Sequence, residues 1–326
     1  MARRIGATFS ARHARELGLE ADRAFDEVLA LGLNPLRLCL YWDEPDGGLE
    51  DLAWQLEAAE RAGREVLLTV GMKAPRWPEF YLPGRLGVDR PPGIDIGAVP
   101  AVHDAVLVQL GIAVERVRGC AAIRWWQVEN EPLNRSGPHR WWIGPQVLQQ
   151  EVDRVRELDP RPIVLTAFGH FDRGLDIASG HSSLHNLAAI RGEGSGVERE
   201  VVPLLRTGDV LGIDLYRAIG GHLAGRSIVH HAKDTTGYAQ RERERATALG
   251  LECWVTELQA EPWEADSSTL WDPVSVGPAD TMPALQATLG VGIDVVLLWG
   301  VEYWLGQAAR GDRTWLEAGR ALLDLV

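Results

Sequence analysis

The sequence predicts a single (β/α)8 barrel covering residues 1–326. Three observations carry this expectation. Apolar, β-branched runs of strand length alternate with helical stretches along the whole chain. Several helical stretches stop at a glycine, at Gly32, Gly63 and Gly250. The strand-like runs end on polar or aromatic residues, and a parallel barrel gathers such residues at the carboxyl ends of its strands.

The elements follow in order. Residues 5–9 read as the first strand, and 20–31 have helical spacing. Residues 35–41 form the second strand, 49–62 a helix and 65–70 the third strand. The stretch 71–100 is long, irregular and rich in Pro and Gly, and loops of that length are usually functional. A helix fills 101–118, and the fourth strand starts at Ile123. After a loop with Trp141 and Trp142 come a helix over 145–158 and the fifth strand over 161–167. Residues 171–208 are weakly patterned and take only short helices. The sixth strand covers 210–216, and a charged helix covers 236–249. The seventh strand ends at Glu257, a loop spans 258–280, and a helix covers about 280–289. The eighth strand runs 294–299, and a helix over 315–325 closes the chain. An open doubly wound sheet is the alternative, but no Gly-rich phosphate loop follows the first strand.

Composition narrows the partners. The chain is 46% hydrophobic and 24% charged, which is an ordinary globular balance. A net charge of -13 repels phosphate backbones, so no nucleic-acid partner is expected. No apolar run is long enough for a membrane span. Nothing resembling a signal region precedes the first strand, and three scattered cysteines have no metal spacing. A reduced, cytoplasmic protein is the expectation, with no cofactor. Thirteen Trp exceed what a core needs and suggest surfaces that stack on flat apolar faces such as sugars.

Two stretches stand out. Ile123-Arg-Trp-Trp-Gln-Val-Glu-Asn130-Glu131-Pro132 is an apolar strand ending in polar groups, and Pro132 cannot continue the ladder. Cys253-Trp-Val-Thr-Glu257 has the same form. A carboxylate at the end of a buried strand is costly unless something uses it. Two that face one space are what retaining glycoside hydrolysis requires, one as acid/base and one as nucleophile. For both glutamates the alternative is a solvated loop acid. Glu129 and Glu261 are nearby acids that do not end a strand in the same way. Arg37, inside Leu-Arg-Leu-Cys-Leu, needs a carboxylate partner if buried. Tyr216, Trp299 and His170 complete the strand-end set, each with packing as its alternative. Trp77, Trp263 and Trp271, in the two longest loops, are candidate walls of a sugar site.

Asn130-Glu131-Pro132, Thr256-Glu257, Arg37, Tyr216 and Trp299 occur in the order found in clan A of the glycoside hydrolases. The chain resembles these retaining (β/α)8 enzymes, which include family 5 cellulases and mannanases. The resemblance implies that Glu131 is the acid/base and Glu257 the nucleophile of a β-glycosidase. It implies that Asn130 holds the sugar 2-hydroxyl, that Arg37 and Tyr216 hydrogen-bond the nucleophile, and that Trp299 floors the reacting subsite. Two places depart from family 5. Gly71-Met72-Lys73 stands where a His is common, and Asp214-Leu215-Tyr216 stands for His-x-Tyr. The substrate class expected is an oligosaccharide or glycoside. Two rivals remain. One is a metal-dependent sugar isomerase or lyase using Glu131, His170, Asp214 and Glu257. The other is a carbohydrate-binding protein without turnover.

Overall fold

The computed structural model describes residues 2–87, 89–168, 197–223 and 226–325. Eight parallel strands close into a barrel: β1 (Arg4–Thr8), β2 (Leu36–Cys39), β3 (Val66–Val70), β4 (Ile123–Val128), β5 (Ile163–Ala167), β6 (Val210–Leu215), β9 (Glu252–Gln259) and β10 (Val295–Trp299). β10 pairs with β1 and completes the ring. Helices Ala21–Leu31, Leu49–Arg61, Pro100–Val117, Pro145–Leu158, Thr235–Ala248 and Thr281–Gly290 lie between consecutive strands, as the sequence pattern predicts.

Inside the barrel, side chains alternate along each strand. The lower layer is apolar, with Leu67, Val164, Val210, Trp254, Val295 and Leu297 in one cluster and Trp125 against it. Arg4 lies over the Trp125 and Trp254 rings, 5.2 and 5.5 Å from the centroids. Two residues along, the same inward faces turn polar, with Thr69, Gln127 and Thr166, and Gly212 stands at the same level. Gly212 lacks a side chain because a Cβ there would lie 2.7 Å from Thr256 Oγ1 and 2.9 Å from Thr166 Cγ2. The outward strand faces pack against the helices in a separate, larger core.

One irregularity aims the site. Ile213 pairs with Val255 and Asp214 with Glu257, so Thr256 is an extra residue in β9; the pairing with β10 slips at the same place. Such a bulge lets two consecutive side chains face inward, and bulges concentrate near active sites. The structure also adds elements absent from the sequence reading. Ala218–Leu223 (β7) and Arg226–His231 (β8) form an antiparallel hairpin after β6. A helix over Val301–Ala309 follows β10 directly. Ala-Ile-Gly-Gly-His-Leu alternates too weakly to announce a strand. Val301–Ala309 is buried over most of its length and reads as an extension of the apolar strand before it.

Glu151, on the inner face of Pro145–Leu158, is fully buried, and neither carboxylate oxygen has a hydrogen-bond partner among the described residues. Burial, then the charges of Glu129 and Asp95, push its pKa well above the carboxyl range. The folded state therefore holds a proton that the unfolded state releases, and stability falls as pH rises above the ordinary carboxyl range. Glu151→Gln should unfold like the wild type, apart from a constant offset, at pH 4. At pH 8 it should be relatively more stable, by up to about 1.4 kcal/mol for each pH unit of the upward shift. Urea midpoints at both pH values read this difference; an offset that stays constant with pH contradicts it.

Candidate active site

The site is organised by Arg37, a fully buried guanidinium on β2. Its Nη1 donates to Glu257 Oε1 at 2.7 Å, and its Nε donates to Gln127 Oε1 at 2.8 Å. Its Nη2 donates to Asn130 Oδ1. Three strands, β2, β4 and β9, are tied together by one side chain. Tyr216 Oη donates to Glu257 Oε2 at 2.6 Å. Both oxygens of Glu257 thus accept hydrogen bonds, the bonding pattern of a carboxylate.

Asn130 Oδ1 also accepts from Gln127 Nε2 at 3.2 Å and Thr166 Oγ1 at 3.4 Å. With the oxygen so engaged, the amide nitrogen is the group left for a ligand oxygen. Glu131 follows with φ +43°, an unusual conformation for a side chain of its kind. Its N–H donates to Thr166 Oγ1 at 2.8 Å, and its carbonyl accepts from Lys73 Nζ at 2.7 Å. These contacts fix the backbone that carries the carboxyl. Burial, followed by the negative charge of Asp214, pushes the Glu131 pKa well above its usual range; Lys73 opposes this, and Glu257 and Glu79 add to it. One carboxylate oxygen from each of Glu131, Asp214 and Glu257 lies within 4.8 Å of the others. Arg37 already bonds one member of that trio, and a cation in the cluster disfavours a second one there.

Trp299, at the end of β10, lies in a cluster with Tyr216 and Ile219. Arg76 lies over its ring at 4.1 Å and is bonded to Glu302 Oε2 at 2.7 Å and to Glu261. The Trp263 ring is 42% exposed and meets Tyr216 edge-on at 5.1 Å. Trp77 is 66% exposed. Trp271 instead stacks on Tyr303 at 5.6 Å and lies under Arg310, so its ring is engaged in packing against Val301–Ala309. His170 lies outside the described residues. Glu129 caps the end of β3, accepting from the Met72 and Lys73 N–H groups at 2.8 and 2.5 Å. Its carboxyl occupies the space a Gly71 Cβ would need.

Several contributors escaped the sequence reading. Gln127 and Thr166 lie in the middle of apolar strands; an isolated polar residue on an inward face is the signal they carry. Lys73 is fully buried, with Glu79 Oε2 at 3.2 Å. Gln259, two residues beyond Glu257, accepts from Arg217 N at 2.7 Å and Ala218 N at 3.0 Å and donates to Ala218 O at 2.7 Å. It anchors the β7–β8 hairpin to the strand that carries Glu257. A separate groove of about 280 Å³, lined by Pro78, Phe80, Leu82, His139 and Trp141 among others, lies between the loops after β3 and β4. None of the carboxylates lines it.

No family model and no curated protein matches the chain. Solved structures do. A GH5_18 structure from Streptomyces cattleya in complex with GlcNAc superposes with a TM-score of 0.57 at 15% identity, over 91% of this chain and 70% of that one. An exo-β-1,4-mannosidase from Opitutaceae bacterium strain TAV5 gives 0.57 at 14% identity, over 91% and 51%. A fungal β-1,4-galactanase gives 0.55 at 12% identity, over 96% and 93%. At such identities the likeness is one of fold, a (β/α)8 barrel. Among the described residues no helix is long and apolar enough to cross a membrane.

Removing one member of a buried ion pair strands the other. Arg37→Ala should lower the unfolding free energy by about 3–5 kcal/mol. Adding Glu257→Gln to that variant should cost far less than Glu257→Gln costs alone, because the pair is one interaction. Urea denaturation of the two single variants and the double variant tests both points; strict additivity contradicts the pairing.

Proposed function

We propose that the protein is a retaining β-glycoside hydrolase, with Glu257 as nucleophile and Glu131 as acid/base. The carrying observation is the contrast between two carboxylates whose oxygens lie within 4.8 Å of each other. One is bonded at both oxygens by Arg37 and Tyr216. The other has its pKa pushed well above the usual carboxyl range by burial and by its negative neighbours. A short carboxylate gap favours double displacement; inverting enzymes leave room for a water between their acids.

In this reading the sugar lies on Trp299 with its 2-hydroxyl at the Asn130 amide. Glu131 protonates the glycosidic oxygen as the C–O bond breaks, and a Glu257 oxygen bonds to the anomeric carbon. Tyr216 and Arg37 keep the attacking carboxylate in line. Water then enters, Glu131 takes its proton, and the ester to Glu257 is cleaved with β configuration restored. The structural neighbours, an exo-mannosidase, a galactanase and a GlcNAc complex, support a glycoside or oligosaccharide substrate. Trp77 and Trp263 wall the approach, one exposed and one edge-on to Tyr216. The whole chain acts as one catalytic domain. Its three unpaired cysteines suit a reducing, cytoplasmic setting.

The two glutamates should respond differently to loss. Glu257→Ala should abolish turnover of every substrate. Glu131→Ala should lower kcat on poor leaving groups by about 10²–10⁴-fold, the usual worth of a general acid. It should still form the glycosyl-enzyme from a dinitrophenyl glycoside, and azide should release a β-glycosyl azide. An α-azide, or loss of labelling by a fluoro-sugar in Glu261→Ala rather than Glu257→Ala, overturns the assignment. Full activity in EDTA removes the metal-dependent reading.

A further inference from the structure

Asp214 is the third carboxylate of the mouth, and the double-displacement scheme gives it no task. It sits on β6 beside Glu257, as its register partner across the bulge, and it is fully buried. Its Oδ1 accepts from Thr256 Oγ1 at 2.7 Å. Its Oδ2 has no donor among the described residues. A buried carboxylate oxygen without a donor is costly, and the Glu131 carboxyl is a direct neighbour: one oxygen from each of Glu131, Asp214 and Glu257 lies within 4.8 Å of the others, and Glu131 acts on Asp214 as a side-chain hydrogen-bond partner. Two carboxyl groups can hydrogen-bond only if a proton lies between them. A proton kept by the pair supplies a donor at Asp214 beyond the Thr256 hydroxyl.

We propose that Asp214 shares a single proton with Glu131 and is thereby a positioning residue that keeps the acid/base ready to donate. This rests on the role assigned to Glu131 above. The groups facing the pair come from every wall. Glu257 on β9 and Glu79 in the loop after β3 favour retention of the proton, Lys73 beside Glu131 opposes it, and Arg37 from β2 and Thr256 from β9 oppose it at Asp214. Burial is the largest influence on both carboxyls and acts in the same direction as the two glutamates.

The balance of charge fits the two steps. In this scheme the Asp214–Glu131 pair begins with one proton, placed on Glu131, and Glu257 attacks as the carboxylate bonded to Arg37 and Tyr216. When that proton passes to the leaving oxygen, Glu131 becomes negative as the Glu257 charge is consumed in the glycosyl ester. The net charge of the mouth is unchanged. The Asp214 charge then favours recapture of a proton from water, which is the base step. An Asp at this place thus works in both halves of the cycle through Glu131 alone.

Asp214→Asn keeps the shape and removes the charge, and its amide can donate to an ionised Glu131. The alkaline limb of kcat/KM on an aryl glycoside with a poor leaving group should move toward acid by about one pH unit or more. KM should hold, and the loss in kcat at pH 7 should be greater for the poor leaving group than for a dinitrophenyl glycoside. A uniform loss at every pH, with the limb in place, means a packing role and overturns the inference. A second measurement does not depend on turnover. In wild-type protein carrying ¹³C-labelled Asp and Glu carboxyls, the Asp214 and Glu131 resonances should titrate together, with one proton held above the ordinary carboxyl range. In Asp214→Asn, Glu131 should titrate lower. Independent titration of both groups in the ordinary range overturns the proposal even if no glycoside is cleaved; coupled titration without glycoside cleavage leaves the shared proton standing and removes only the enzymatic reading.

Discussion

A guanidinium placed in the middle of a barrel wall has to be answered, and most of the mouth is the answer. Arg37 is out of contact with solvent, and the desolvation of such a charge is worth several kcal/mol unless its donors are met. Its acceptors come from β4 and β9, strands far apart in sequence that only barrel closure brings together. The planar fork matters here. Arg37 reaches Glu257, Gln127 and Asn130 with separate nitrogens at fixed angles, which a lysine ammonium on a flexible stem would not hold at once. The bulge at Thr256 belongs to the same solution. It turns Glu257 inward toward Arg37 while Thr256, the residue before it, also faces inward and bonds Asp214.

From that tie follows the division of labour among acids of one kind. Glu257 accepts two strong hydrogen bonds. Glu131 meets a carboxylate neighbour and little water. Glu129, two positions before it, points its carboxyl into the gap left by Gly71 and caps backbone N–H groups. Glu261, four residues beyond Glu257, is bonded to Arg76. Environment alone separates a carboxyl whose pKa is pushed upward, a carboxyl hydrogen-bonded at both oxygens, a backbone cap and a counter-ion. The same holds for tryptophan: Trp254 fills the barrel floor and Trp271 packs a helix, while Trp299 and Trp263 meet Tyr216, which bonds Glu257.

The strands were readable in the sequence because β-branched runs ending in polar residues recur with helical spacing between them, and every barrel strand lies within a residue or two of its expected place. Glu131, Glu257, Arg37 and Asn130 were readable for the same reason, as polar residues at or inside apolar strands. What the pattern could not carry is whatever depends on partners across the barrel. Gln127 looked like one polar residue among tryptophans, and only the closed ring shows it bridging Arg37 and Asn130. Asp214 was visible as a strand-end acid, but its unpartnered oxygen appears only once β6 and β4 face each other. The β7–β8 hairpin has a glycine-rich first strand with no clear alternation, and it is held by tertiary contacts to Gln259 and to the Trp263 carbonyl, where Gly220 N donates at 2.6 Å.

Those contacts bear on how a site of this kind changes its ligand without changing its chemistry. The buried polar groups of the mouth project from β2, β4, β6 and β9, whose spacing is set by the barrel and whose polar layer admits little substitution: even Gly212 has no room for a methyl group. The rim is built differently. The hairpin carries Ile219 into the Tyr216–Trp299 cluster, and its base is clamped by Gln259 on the strand that bears Glu257. Arg76, from the loop after β3, covers one face of Trp299 and is anchored by Glu302 from the helix after β10. Loops with no regular pattern are thus fastened to the barrel strands and to the helix after β10 by single polar side chains. Rim residues can vary while these anchors persist, so the contacts of the rim are free to drift independently of the polar layer beneath it. A barrel sharing only 12–15% of its residues with its structural neighbours is what such an arrangement allows.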